Sequence, residues 1–189
     1  MYNAFRGEIM NIFVVDSDPV KAARSLCNSH VVKMILETAQ MLSTSHRVLD
    51  GTPVDAKTKT GRRMTRYVMP DSREDSLYQA THINHPCAVW ARGSLNNHNW
   101  LVAHFISLCD EYTHRYGKVH KCDTVAHTSG MLKPPIRISH GYLLPHPMAM
   151  PDECQIGSVV ESYREYYRYK RDSGMKMIWT NSPMPDWMI

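Results

Sequence analysis

His30, Lys33, Glu37 and Gln40 recur at three- and four-residue spacing within NSHVVKMILETAQMLSTSHRVL, Asn28 to Leu49. On a helix turning about 100° per residue they fall, with Thr44, inside an arc of roughly 80°. A carboxylate beside an imidazole and an amine suits proton transfer, because each group shifts the pKa of the others. Taken out of water, the Lys33 amine could also attack carbon and form an imine. Val31, Val32, Met34, Ile35, Leu36, Ala39, Met41 and Leu42 fill the rest of the wheel. A narrow polar stripe on a mostly apolar helix implies a buried helix whose polar groups have partners or line a cleft.

A second helix is predicted over Leu95 to Tyr116, ended by Gly117. Its stripe repeats the first: Asn97, Trp100, His104, Ser107 and Glu111 share one arc, backed by Leu101, Phe105, Leu108 and Cys109. Two such helices side by side would turn both stripes into one cleft. In that cleft His30, Lys33, Glu37 and His85 are the candidate catalytic groups. Gln40, Arg92, Asn97, Trp100, His104 and Lys118 are the candidate substrate contacts. Arginine, lysine and histidine suit phosphate, tryptophan stacks on a base or sugar, and asparagine reads a polar edge. The set fits a nucleotide or a nucleic-acid base. A purely structural polar network is the competing reading of the same residues.

The elements around them follow from local signals. Asn11 to Val15, NIFVV, has strand composition. Asp18 and Pro19 suit the cap and first position of a short helix to about Cys27. Asp50 to Pro70 is turn-rich and basic, with Lys57, Lys59, Arg62, Arg63 and Arg66, and reads as a solvated loop or a phosphate-contacting flap. Ser72 and Asp75 suggest a capping box opening a helix to about Ile83, and Pro86 opens another. Lys118 to Pro151 predicts a long irregular segment with one short helix or strand. Ser158 and Glu161 form a further capping box before a helix ending at Gly174. Its Tyr163, Tyr166, Tyr167 and Tyr169 alternate with Arg164, Arg168, Lys170 and Arg171, in keeping with packing on one side or with stacking on nucleic acid. Trp179 and Trp187 should dock the proline-rich tail. The fold expected is a mainly α single-domain bundle over 10–189 with one short N-terminal strand. Residues 1–9 read as an extension, and Met10 as an alternative translation start.

Zinc or iron could use His114, His120, Cys122, Asp123 and His127, crowded around a turn, or His30 and Glu37, seven apart on one helix face. The chain has no HExxH and no CxxC, and its one ExxH, Glu111 to His114, lacks the second copy a di-iron bundle needs. No metal ligand is therefore assigned, and no cofactor is named. P-loop, GxGxxG, GxSxG and the zinc-deaminase pattern are also missing, which argues against kinases, Rossmann dehydrogenases, α/β-hydrolases and zinc deaminases.

Bulk properties agree with a globular chain. The 189 residues are 43% hydrophobic and 21% charged, with a formal charge of +4. That charge permits a nucleic-acid partner without demanding one. No apolar run approaches the ~20 residues of a membrane span. The five scattered cysteines read as reduced thiols, and a cytoplasmic protein is expected.

MNIFVVDSDPVKAARSLCNSHVVKMILETAQMLSTSHRVLDG (Met10 to Gly51), HINHPCAVWARGSLNNHNWL and EYTHRYGKVH resemble an uncharacterised protein group of tailed bacteriophages. The resemblance brings no assigned activity and no catalytic residues. It implies a protein made in an infected bacterial cytoplasm, where nucleotide metabolism, DNA modification, base excision and counter-defence are the relevant functions. The leading expectation is thus an enzyme acting on a nucleotide or nucleic-acid base. Glu37 or His30 would be its acid–base group and Lys33 an anion contact or nucleophile. The alternatives are a non-catalytic protein that sequesters a nucleotide or blocks a host protein, and a metal-dependent hydrolase.

Overall fold

The computed structural model describes residues 10–189. Among them are seven α-helices and one two-stranded antiparallel sheet. The protein is mainly α, and the expected N-terminal strand is absent. Met10 to Val15 is instead a buried irregular segment. The Asn11 Oδ1 accepts from the N–H of Ile12 (2.7 Å) and Phe13 (3.1 Å), and Phe13 sits at φ 56°. A left-handed residue and two amides satisfied by a side chain interrupt a strand ladder here. The β-branched run is thus buried as its composition suggests, but as an interior plug.

Helix α1 (Pro19–Ser25) starts as its sequence requires, with Asp18 accepting from the Val20 and Lys21 amides. Helix α2 (Asn28–Asp50) is the central rod. It packs against α5 (Leu95–Tyr116), which also carries α1, and against α4 (Pro86–Ala91). Val31, Met34, Ile35, Leu42, Leu101, Phe105 and Leu108 form the shared core. Gly117 closes α5 in the left-handed conformation, φ 62°. Helix α6 (Lys121–Ser129) is the one helix of the segment expected to be irregular. Helix α7 (Val159–Asp172) has both halves of its capping box and turns Tyr163, Tyr166 and Tyr167 into the core. The tail docks as foreseen: the Trp179 indole donates to the Ser25 carbonyl (3.0 Å), and the Trp187 ring meets Tyr167 edge-on.

The basic stretch after α2 departs from the expected loop. It forms an antiparallel ribbon, β1 (Thr52–Lys57) and β2 (Arg63–Val68). The helix expected from Ser72 to Ile83 stops after one turn, α3 (Arg73–Ser76), and Ser72 makes no side-chain cap. The reason is visible in the wholly buried Arg47. Its guanidinium donates to the carbonyls of Tyr67, Glu74, Leu77 and Tyr78 and to the Glu74 carboxylate at 2.7–3.0 Å. Arg47 gathers the carbonyls of Glu74 and Leu77 where the chain turns extended at Leu77, φ −80° and ψ 144°, and the helix ends there. Glu74 also accepts from Arg66 (2.7 Å) and the Met69 amide (2.8 Å), tying the ribbon to the body. Arg47→Met should cost about 3–5 kcal/mol, because it leaves the carbonyls of Tyr67, Glu74, Leu77 and Tyr78 without the guanidinium that they accept from. Urea unfolding would measure it, and an unchanged midpoint would refute the arrangement.

Candidate functional site

The Lys33, Glu37 and Gln40 side of α2 opens on a cavity of about 810 Å³. Val32 and Leu36 from the same helix, Leu77 after α3 and Val125 of α6 give it apolar walls. Tyr78, His120 and Cys122 complete the far side. A largely apolar concavity with a few polar groups suits a planar ligand with polar edges.

Glu37 is the most constrained group here. It is 8% exposed. One carboxylate oxygen accepts the Asn11 backbone N–H at 3.0 Å, and the other lies 3.3 Å from the Lys33 ammonium. Burial raises the pKa of Glu37, against the opposing pull of Lys33 and the Asn11 amide. A carboxyl poised upward beside an amine can pass a proton to and from a reacting centre. Its charge reaches α4 as well. Burial, assisted by Glu37, pushes the Cys87 thiol up to about 12, so Cys87 is an inert neighbour.

The far wall supplies neutral donors. His120 caps α6, its Nδ1 accepting the Cys122 amide at 3.2 Å, so the ring proton resides on Nε2. Burial lowers its pKa, which favours that neutral form. The Tyr78 hydroxyl lies 3.3 Å from the Cys122 sulfur, and burial raises the phenol to about 12. From the sequence, His120 and Cys122 read only as metal ligands. Among the described residues no three His, Cys, Asp or Glu side chains converge on a metal-sized site. Asp123 and His127 pair with each other one turn apart, at 3.2 Å.

The other expected residues lie elsewhere, and the single cleft between two stripes does not form. His30 is buried and does not line the cavity; it is stacked on Phe13 at 4.3 Å, with Nδ1 2.6 Å from the Tyr167 hydroxyl. Burial takes its pKa to about 3, so it is a neutral packing group rather than an acid–base group at the cavity. Asn97 is locked between the Trp90 carbonyl and the Leu144 amide, 2.8 Å each. The Trp100 indole donates to the Ser17 carbonyl (2.9 Å) and its ring stacks on His104. Both residues are occupied with interior chain and are not open for stacking or base reading. His104 is fully buried. His85 caps α4 through Nδ1. Arg92 donates to the Ala88 and Ile83 carbonyls at 2.8 and 2.6 Å, which holds the end of α4. Lys118 is exposed just past α5, outside the cavity lining. Of the ten, Lys33, Glu37 and Gln40 line the cavity.

Two groups have roles that residue type does not reveal. The Asn11 amide is one, and a backbone nitrogen has no signature in residue type. Lys170 is the other. Its ammonium lies 4.7 Å from the Tyr166 ring centre and 5.7 Å from that of Phe13, and burial lowers it to about 8. A second cavity, about 710 Å³ between α1, α5 and the tail, holds none of the ten candidates.

A family model described as pyrimidine dimer DNA glycosylase matches residues 10–124. The chain belongs to that family. No curated protein and no solved structure matches it. Membership in a pyrimidine dimer DNA glycosylase family makes this a DNA base-excision protein and DNA its partner. The matched region contains α1 to α5, the ribbon and the first turn of α6, hence the whole cavity except Val125. No helix of the described chain is long and apolar enough to cross a membrane.

Proposed function

We propose that the protein breaks the N-glycosidic bond of a damaged pyrimidine in DNA at the Glu37 cavity. One observation carries this: a buried carboxylate at the wall of a cavity of about 810 Å³ holds two nitrogens, Lys33 Nζ and the Asn11 backbone N. Excision needs a nucleophile at the sugar C1′ and a proton for the departing base. Glu37 takes a proton from the Lys33 ammonium, and the freed amine attacks C1′. The C1′–N bond of the damaged nucleotide breaks, its electron pair leaves with the base, and the Glu37 carboxyl returns the proton to that base. Glu37, again a carboxylate, takes a proton from the alkylated amine and passes it to O4′ as the sugar ring opens, which leaves a C1′=N imine on the enzyme. Gln40 and the His120 Nε2–H supply polar contacts to a base lodged against Leu77 and Tyr78.

The second nitrogen gives a second version of the same step. In this chain the Asn11 nitrogen is an amide. It would be a primary amine only in a chain that begins at Asn11. Such an amine would already sit on the Glu37 carboxylate.

Borohydride added during turnover of a duplex containing one cyclobutane pyrimidine dimer should reduce the imine to a stable cross-link. Peptide mapping then reads the attacking nitrogen: Lys33 in the first version, residue 11 in the second. Base release without any cross-link would remove the imine step, and absence of both release and cross-link would overturn the proposed function.

A further inference from the structure

The ribbon β1–β2 has no core role that accounts for its charge. Nearly every residue from Thr52 to Arg66 is exposed, on both faces of the two strands. A lone hairpin in water is marginal at best. This one persists because its base is clamped by Arg47 and Glu74. Lys57, Lys59, Arg62, Arg63 and Arg66 stand on it against one carboxylate, Asp55. Its net charge of +4 equals that of the whole 189-residue chain, so the remaining residues sum to zero. Only Arg66, on Glu74, is in an ion pair among the described residues. Lys57 and Arg63 lie directly opposite each other in the register. Like charges so placed repel and weaken a hairpin, and neither is in an ion pair among the described residues.

From these observations we infer that the β1–β2 ribbon is an arm that grips duplex DNA through its phosphates. Six residues per strand span about 20 Å, and a two-stranded ribbon fits the major groove, with phosphates along both rims. The arm is coupled to the excision cavity by one short segment. Glu74, which accepts from Arg66 of the ribbon, is followed directly by Asp75, Ser76, Leu77 and Tyr78 of the cavity wall. Duplex held by the arm is therefore held beside Glu37. The inference rests on the base-excision reading for the identity of the polyanion.

The test is binding of an undamaged fluorescent duplex, followed by anisotropy across a salt series, so that no chemistry is needed. The variant Lys57→Gln/Lys59→Gln/Arg62→Gln/Arg63→Gln removes four phosphate contacts and should lower the log–log salt slope by about 3 to 4. Between 50 and 200 mM salt the parent should then lose on the order of a hundredfold more affinity than the variant. Lys133→Gln/Lys176→Gln, exposed cations outside the ribbon, should leave the slope in place. Circular dichroism checks folding. Lys59→Glu, confined to the turn, reads the same slope if the fourfold variant does not fold. An unmoved slope in a folded ribbon variant overturns the inference. Ribbon-dependent binding with no excision or cross-link overturns the excision reading and leaves the arm standing; excision with an unmoved slope does the reverse.

Discussion

Glu37→Gln should lower single-turnover excision of a dimer-containing duplex by about 10²–10⁴-fold, the usual worth of a positioned acid–base group. DNA affinity should hardly change. Glutamine keeps the length of the side chain and can still accept the Asn11 N–H, so the wall of the cavity is preserved. What it loses is proton exchange with the amine and the ion pair to Lys33. The pH profile provides a second readout. The productive carboxylate must be ionised before attack, and burial raises its pKa. Activity should therefore fall on the acid side through an inflection above the ordinary carboxylate range, and that inflection should vanish from the residual activity of the glutamine variant. Glu37→Asp is the sharper control. It keeps the charge but withdraws it by one methylene from both nitrogens, and it should recover part of the rate if charge alone matters. A glutamine variant with parental rates would end the assignment of Glu37, however well the duplex binds.

The features legible in the sequence are those specified by neighbouring residues. Asp18–Pro19, the Ser158–Glu161 box and Gly117 act within one turn, and each does in the structure what its type predicts. The extents of α2 and α5 follow from periodicity in the same way. What failed depended on distant partners. A helical wheel puts Asn97 and Trp100 on one face of α5, but it cannot say that the Trp90 and Ser17 carbonyls meet them there. Ser72 and Asp75 have capping-box spacing, yet the buried Arg47, far upstream in the chain, gathers the Glu74 and Leu77 carbonyls where the helix ends. The ribbon was hidden because its turn, Thr58 to Arg62, lacks an Asn-Gly or Asp-Gly signal and its strands alternate poorly. At the site, Lys33, Glu37 and Gln40 were found because their spacing is helical. The cavity's opposite wall comes from segments whose approach to α2 no local pattern encodes.

Acid should unfold this protein well above the pH at which carboxylates titrate, and the reason lies in three interior imidazoles. Burial lowers His30 and His104 to about 3 and His98 to about 4, against 6.5 for a free histidine. Both ring nitrogens of His104 lack a hydrogen-bond partner among the described residues. Because the folded pKa values are depressed, the unfolded chain binds more protons between about 3 and 6.5, so stability is complete above 6.5 and is lost as pH falls. At pH 5 each group costs on the order of 2 kcal/mol. Together they approach the 5–15 kcal/mol that typically holds a domain folded. The urea midpoint should therefore drop steeply from pH 7 to pH 5, and His104→Phe, which can keep the stack on Trp100, should make that drop shallower by about one proton. A flat midpoint over this range would contradict neutral burial of these rings. The same window overlaps the acid limb expected from Glu37, and the two are physically linked: His30 supports Phe13, and Phe13 follows the Asn11 amide that Glu37 holds. Near-ultraviolet circular dichroism separates them. A rate that falls while the aromatic signal is intact belongs to Glu37, whereas a rate that falls with the signal belongs to the histidines.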